Sequence, residues 1–420
     1  MIDPTLALIP SGYKAGKVFS VLPSDGSGDF DFTRATLATR VNKDGLIEAV
    51  ANNTPRLDYP LVNGVQKGCP VLLLEPQRTN LLAYSEDFSN AYWNKLGASI
   101  VSNQTVSPDG TLNADMLVED TSNGIHIVYR NNVNTGAGAN TFSVKVKANG
   151  RNWVLLYDTE QIEAIYFDLQ NGVAGSTIGS PDSYSINKLP NGWYDVSLTT
   201  TSISKVDFQV YASDSDGSHI YQGDGVSGIN VWGAQLEVGG YPTSYIPTSG
   251  TIVTRAVETC NSAGDAYTFN STEGVLYVEL SALEPFIPTT NLYISLGDGA
   301  RTSPITLRFS PLGEAIYYHG GVLLANAVSY VQPGNVDLTQ KNKFALRYGA
   351  TASDCSLFFN GVKQANLGGF TFSTLSALDQ LNFSEDDPAG TAYDFYGNVN
   401  DLRVYNTALT NAELQTLTTQ

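Results

Sequence analysis

The stretch Phe142-Ser143-Val144-Lys145-Val146-Lys147 decides the fold. In an extended chain Phe142, Val144 and Val146 fall on one side and Ser143, Lys145 and Lys147 on the other, which is the period-two pattern of a half-buried strand. The alternation recurs at Trp232, Ala234, Leu236 and Val238 against Gln235 and Glu237, and again at Leu276, Val278 and Leu280 against Tyr277 and Glu279. Asn-Gly and Asp-Gly pairs such as Asp44-Gly45, Asn63-Gly64, Asn171-Gly172 and Asn360-Gly361 punctuate the chain with the turns that hairpins need. The expectation is an all-β protein with two antiparallel β-sandwich (jelly-roll) domains.

Helical signal is sparse. Thr410 and Glu413 form a capping box, with Leu409 and Leu414 at the staple positions, so a short helix is expected from about Asn411 to Leu417. A short helix or turn is expected near Ser85 to Trp93, where Ser85 can cap and Glu86 and Asp87 suit a helix start. Residues 1–80 are proline-rich and weakly alternating, and read as an irregular N-terminal docking or oligomerisation segment. Residues 81–248 form the first sandwich, 249–271 a linker, and 272–420 the second. Thr33-Arg34-Ala35 is echoed by Thr254-Arg255-Ala256, too short a match to define a repeat.

Charged residues make up 15% of the 420, against about 25% in ordinary globular chains, and the 23 tyrosines equal Lys plus Arg in number. The net charge of −18 opposes a phosphate backbone or an anionic membrane surface, so neither nucleic acid nor membrane insertion is expected. Apolar runs such as Val71–Leu74 are far shorter than the roughly 20 residues of a membrane span. The start of the chain, with Asp3 and Pro4, lacks the pattern of a secretory signal, which argues against a secreted adhesin. Cys69, Cys260 and Cys355, odd in number and widely spaced, read as free thiols made in a reducing cytoplasm.

Phe32-Thr-Arg-Ala-Thr-Leu-Ala-Thr-Arg40, Gly45-Leu-Ile-Glu48, Pro55-Arg56, Leu72-Leu-Leu-Glu75 and Arg78-Thr-Asn-Leu81 together resemble an N-terminal segment of bacteriophage virion fibre and spike proteins. Trp232-Gly-Ala-Gln-Leu-Glu237, Pro242-Thr-Ser-Tyr245-Ile-Pro247 and Thr254-Arg255-Ala256 resemble the end of the carbohydrate-binding-like jelly roll of phage head-spike fibres. Leu357-Phe-Phe-Asn-Gly361-Val362 and Gly397-Asn-Val-Asn-Asp401-Leu-Arg-Val-Tyr405-Asn resemble a concanavalin A-like (laminin-G-like) lectin domain. The resemblance implies a structural protein on the virion surface, synthesised in the host cytoplasm. It would be a head or tail fibre, spike or decoration protein, homo-oligomeric and commonly trimeric, that contacts other virion proteins and displays modules for host or mucosal glycans. Rival readings are a polysaccharide depolymerase and a purely structural capsid or tail component without ligand.

Reactive constellations are scarce. The histidines are His126, His219 and His319, and neither an H-E-x-x-H helix, a C-x-x-C pair, a G-x-S-x-G elbow nor a phosphate loop is present. The expectation is therefore no enzyme, no catalytic residue and no cofactor, with a loop Ca2+ the one ion considered. Its candidate ligands are Asp214 and Asp216 before Gly217, and the run Glu385-Asp386-Asp387; the competing reading of both is a solvated acidic loop. Sugar recognition needs flat apolar faces beside hydrogen-bonding side chains. The candidates are Trp153 and Tyr157 on one strand face, Trp193 after Asn191-Gly192, and the run Tyr317-Tyr318-His319. Core packing is the competing reading for aromatics within strands.

Overall fold

The computed structural model describes residues 2–283, 291–299, 304–310, 314–320, 327–331, 337–367, 374–375, 377–385 and 394–419. The protein is all-β, built from antiparallel sheets that pack as two sandwiches. In the first sandwich one six-stranded sheet consists of β1 (Asn94–Leu96), β2 (His126–Asn134), β3 (Trp153–Asp158), β4 (Glu163–Asp168), β5 (Val173–Ile178) and β6 (Lys205–Ser213). Its spatial order is β1-β2-β6-β3-β4-β5. The facing sheet contains Gly138–Asn149 between Gly228–Val238 and Tyr194–Ser202. Phe142, Val144 and Val146 meet Val154, Leu156, Ile165, Phe208 and Val210 in the shared core, as alternation requires.

The strand at 138–149 is not half-buried. Lys145 is enclosed, paired with Asp195 at 3.2 Å and lying over the Tyr245 ring. Ile47 and Leu61 from the N-terminal segment, with Tyr245, pack on a cluster at the outer side of this sheet. Alternation also breaks within 228–238. Ala234 and Leu236 enter the core, but Trp232 joins the outer cluster, because Gly233 (φ 65°) lies at a register shift that resets the facing of the strand.

The second sandwich pairs an eight-stranded sheet with a five-stranded one, and Leu276, Val278 and Leu280 point into its core. The segment before residue 81 differs from the irregular docking arm expected of it. Leu6–Leu8 and Val71–Leu74 both pair with Gly397–Tyr405, and Arg56–Asp58 pairs with Val71–Leu74. Leu6, Leu8, Leu72 and Leu74 are fully enclosed in the second core. A boundary at residue 80 thus cuts through the second sandwich, and the first is inserted between strands of the second. At the C-terminal end, α1 (Asn411–Thr418) carries the expected capping box, with Leu409 and Leu414 buried against Val275, Tyr277 and Phe358. Ser85 to Trp93 forms turns rather than a helix, with Asp87 accepting from the Asn90 amide at 3.1 Å.

Between the two sandwiches lies a buried ionic cluster of Arg34, Arg56, Arg255, Glu75 and Glu258, each at most 2% exposed. Arg34 reaches Glu258 at 2.7 Å, Arg56 reaches Glu75 at 2.7 Å and also bonds Glu258, and Arg255 reaches Glu75 at 2.8 Å. Burial alone would raise the Glu75 carboxyl, but Arg255, Arg56 and the Ser244 amide and hydroxyl hold it down to about 2. The echoed Thr-Arg-Ala triplets therefore supply two arginines to one network.

Candidate functional site

Outside the two cores, the outer face of the β1–β6 sheet gathers Tyr129, Trp153, Tyr157, Tyr166 and Tyr211 into one cluster. Because inward positions alternate with outward ones, Trp153, Leu155 and Tyr157 of β3 point away from the core, as do Ala164 and Tyr166 of β4, Gln209 and Tyr211 of β6, and Ile127 and Tyr129 of β2. Strand register assembles them into rows. Ile127, Tyr211, Leu155 and Tyr166 align across four strands, and Tyr129, Gln209, Tyr157 and Ala164 form the next row. Trp153, Tyr157 and Tyr129 are half-buried, so their rings remain partly open to solvent.

A loop from Asp214 to Ile220 closes one side. His219 packs edge-on against Tyr211 at 5.5 Å between centroids, and its Nδ1 lies 2.5 Å from the Tyr166 hydroxyl. Burial raises the Tyr166 phenol to about 12 and the Tyr211 phenol above its ordinary value, and lowers the His219 imidazole. At neutral pH these are uncharged hydrogen-bonding groups. Asp216 ties the loop to β5 by accepting from the Ser176 amide and hydroxyl, both at 2.8 Å. Gly175 permits this closeness, since a Cβ there would lie 2.5 Å from Asp216 Oδ1 and 2.7 Å from Trp153 Cζ3.

The polar groups within the face are held in place. The Tyr211 hydroxyl donates to Gln209 Oε1 at 2.7 Å, and the Gln209 amide nitrogen donates to Asn131 at 2.9 Å and Thr159 at 2.8 Å. These bonds use both N–H donors of the Gln209 amide, and Gln209 and Tyr211 are buried, so the network braces the more open rings above it.

The structure brings Trp153, Tyr157 and Asp216 to this surface and separates the other candidates from it. Trp193 is 1% exposed, donates to the Val106 carbonyl at 3.0 Å and packs with Trp232 and Tyr245. Tyr317, Tyr318 and His319 lie within the five-stranded sheet, the two tyrosines flanked by strands on both sides, and none exceeds 1% exposure. Tyr317 enters the second core while Tyr318 lies under Arg308. As platforms these four residues are corrected: their apolar surface is already spent on packing, and no ring face is left for a sugar. Of the proposed cation ligands, Asp214 is exposed, Asp216 is engaged by Ser176, and Glu385 is buried; Asp386 and Asp387 lie outside the described residues. Among the described residues no group of three or more His, Cys, Asp or Glu side chains is arranged to hold a metal ion.

Tyr129, Tyr166, Gln209, Tyr211 and His219 escaped the sequence reading. Their signal is the local alternation Gln209-x-Tyr211 and Tyr129 two residues beyond Ile127. It is hidden because both faces of these strands are apolar or aromatic.

No family model and no curated protein matches the sequence. Among solved structures the chain is similar to the CBM40 of the Ruminococcus gnavus IT-sialidase, at 19% identity over 38% of this chain and 93% of that one, with a TM-score of 0.30. It is similar to the leech intramolecular trans-sialidase at 19% identity over 38% of this chain and 26% of that one, TM-score 0.29. A Trypanosoma rangeli sialidase matches at 13% identity over 77% of this chain and 62% of that one, TM-score 0.29. With sialidases among the similar structures, the expectation that the chain is not an enzyme does not stand. At TM-scores of 0.30 and below, these likenesses carry no residue role, substrate or activity onto this chain.

Proposed function

We propose that the protein binds glycans across the outer face of the β1–β6 sheet. The observation that carries this reading is the set of part-open rings, Trp153, Tyr157 and Tyr129, on one face of the sheet, braced from below by the buried Gln209–Tyr211 network. Flat rings cover the C–H surfaces of a pyranose, and the phenol groups of the part-exposed Tyr129 and Tyr157 can meet its hydroxyl groups. The setting we propose is the surface of a phage particle, supported by the motif resemblance over residues 32–81 and 232–256. Several copies on one particle would turn weak single contacts into firm attachment.

The test is a glycan array followed by calorimetric titration of the strongest hit, with released reducing ends measured alongside. Trp153→Ala and Tyr157→Ala are each expected to weaken binding about tenfold or more while leaving the melting temperature within a few degrees, since both rings are part-exposed. Unchanged affinity in both variants overturns the assignment of the face.

A further inference from the structure

We infer that this aromatic face is selective for uncharged glycans and rejects acidic ones. The inference rests on the glycan-binding reading and specifies its ligand class. Recognition of a sugar carboxylate or sulfate needs a cation free to pair with it, most effectively an arginine that can engage it bidentately. Alternation along β1 to β6 places one basic side chain on the outer face, Lys205. It stands at the start of β6, four residues from Gln209 and so roughly 13 Å along the strand. Its Nζ already contacts Glu160 at 3.3 Å and donates to Asn132 at 2.6 Å. Arg151, two residues before Trp153, is committed as well: it pairs with Glu119 through two bonds of 2.5 and 2.8 Å and lies 3.8 Å from Asp224. Lys95 of β1 turns away to the carbonyls of Ser89, Asn90 and Trp93.

What borders the rings instead is negative. Asp214 is exposed on the covering loop, Asp216 lies where a Cβ on Gly175 would meet both it and the Trp153 ring, and Asp168 is paired with Trp153 across the β3–β4 register. The imidazole of His219, the remaining ionisable nitrogen at the site, is turned to the Tyr166 hydroxyl. An acidic sugar on this face would meet Asp214 and Asp216, which have no ion-pair partner among the described residues although Ser176 donates to Asp216, within a chain of net charge −18, whereas a neutral one meets no such repulsion.

The test uses the full chain on an array of neutral oligosaccharides, each printed beside a counterpart that differs by one terminal sialic or hexuronic acid, at low and high ionic strength. Neutral members are expected to bind with little dependence on salt, and the acidic counterparts roughly tenfold more weakly, with the deficit shrinking as salt rises. Asp214→Lys, on an exposed loop, is expected to narrow the gap several-fold. Equal or tighter binding of the acidic members overturns the selectivity and leaves the glycan reading standing. Binding of neither class overturns both.

Discussion

Asp58 illustrates how one side chain can register pH. Burial raises its carboxyl to about 6, although the Val41 amide donates to it at 2.7 Å and Arg56 lies near. A folded-state value above the unfolded one means that the native protein holds this proton more tightly. The associated stability is therefore complete below about pH 4 and is lost as pH rises through about 6. Because Asp58 keeps part of its surface in solvent, the expected span is about 1–3 kcal/mol. Asp58→Asn should flatten that region of a stability-against-pH curve from urea titrations; an unchanged slope between pH 4 and 6 rejects the assignment. At Gly175 the demand is steric. Gly175→Ala is expected to displace Trp153 and weaken glycan binding about fivefold or more, with a smaller effect on the melting temperature, because the clash is with a half-open ring and an exposed carboxylate.

Among the elements, the covering loop depends on the Asp216–Ser176 latch. In Asp216→Ala the loop should lift, the Ser176 amide should exchange faster, and His219 should titrate nearer its ordinary value as burial is relieved. Proton exchange and NMR titration read these two outcomes, and an unshifted His219 curve would show that other contacts hold the loop. At the far end of the chain, Thr410→Ala removes the N-cap of α1 and is expected to cost about 1 kcal/mol in denaturant melts. That helix was legible in advance because its signals are local: a capping box and two leucines at fixed spacing. The strands were legible wherever the alternation was regular, as at Leu276–Leu280, where Leu276, Val278 and Leu280 share the core face. The site was only half legible. Trp153 and Tyr157 lie two turns of alternation apart on one strand and could be paired from sequence, but Tyr129, Gln209, Tyr211 and His219 come from other strands and a loop, joined only by register. Trp193 and Tyr317 misled for the converse reason, since an aromatic beside a turn looks the same in sequence whether its ring is open or enclosed.

For the molecule as a whole, the ionic cluster joins what the sequence presents as separate parts. Arg34 and Arg56 come from the N-terminal segment, Glu258 and Arg255 from the stretch between the sandwiches, and Ser244, which binds Glu75, from the end of the first sandwich. Removing one partner leaves enclosed charge without compensation, so Glu258→Gln is expected to destabilise by about 3–5 kcal/mol in denaturant unfolding, much more than any exposed ion-pair variant such as Asp31→Asn. Deletion of residues 1–80 should do worse. It strips the second core of Leu6, Leu8, Leu72 and Leu74, and a fragment from residue 81 onward is expected to lose cooperative melting of its C-terminal half while the 81–248 sandwich persists.

The pairing of Leu6–Leu8 and Val71–Leu74 with Gly397–Tyr405 also fixes an order of events on the ribosome. Val71–Leu74 can pair with the earlier Arg56–Asp58, but its other edge stays open until Gly397–Tyr405 is made, so the inserted sandwich can close while the four apolar side chains from Val71 to Leu74 remain only partly covered. Closure of the second sandwich thereby waits on the strand at 397–405, and a holdase that shields those leucines would raise the yield of folded protein.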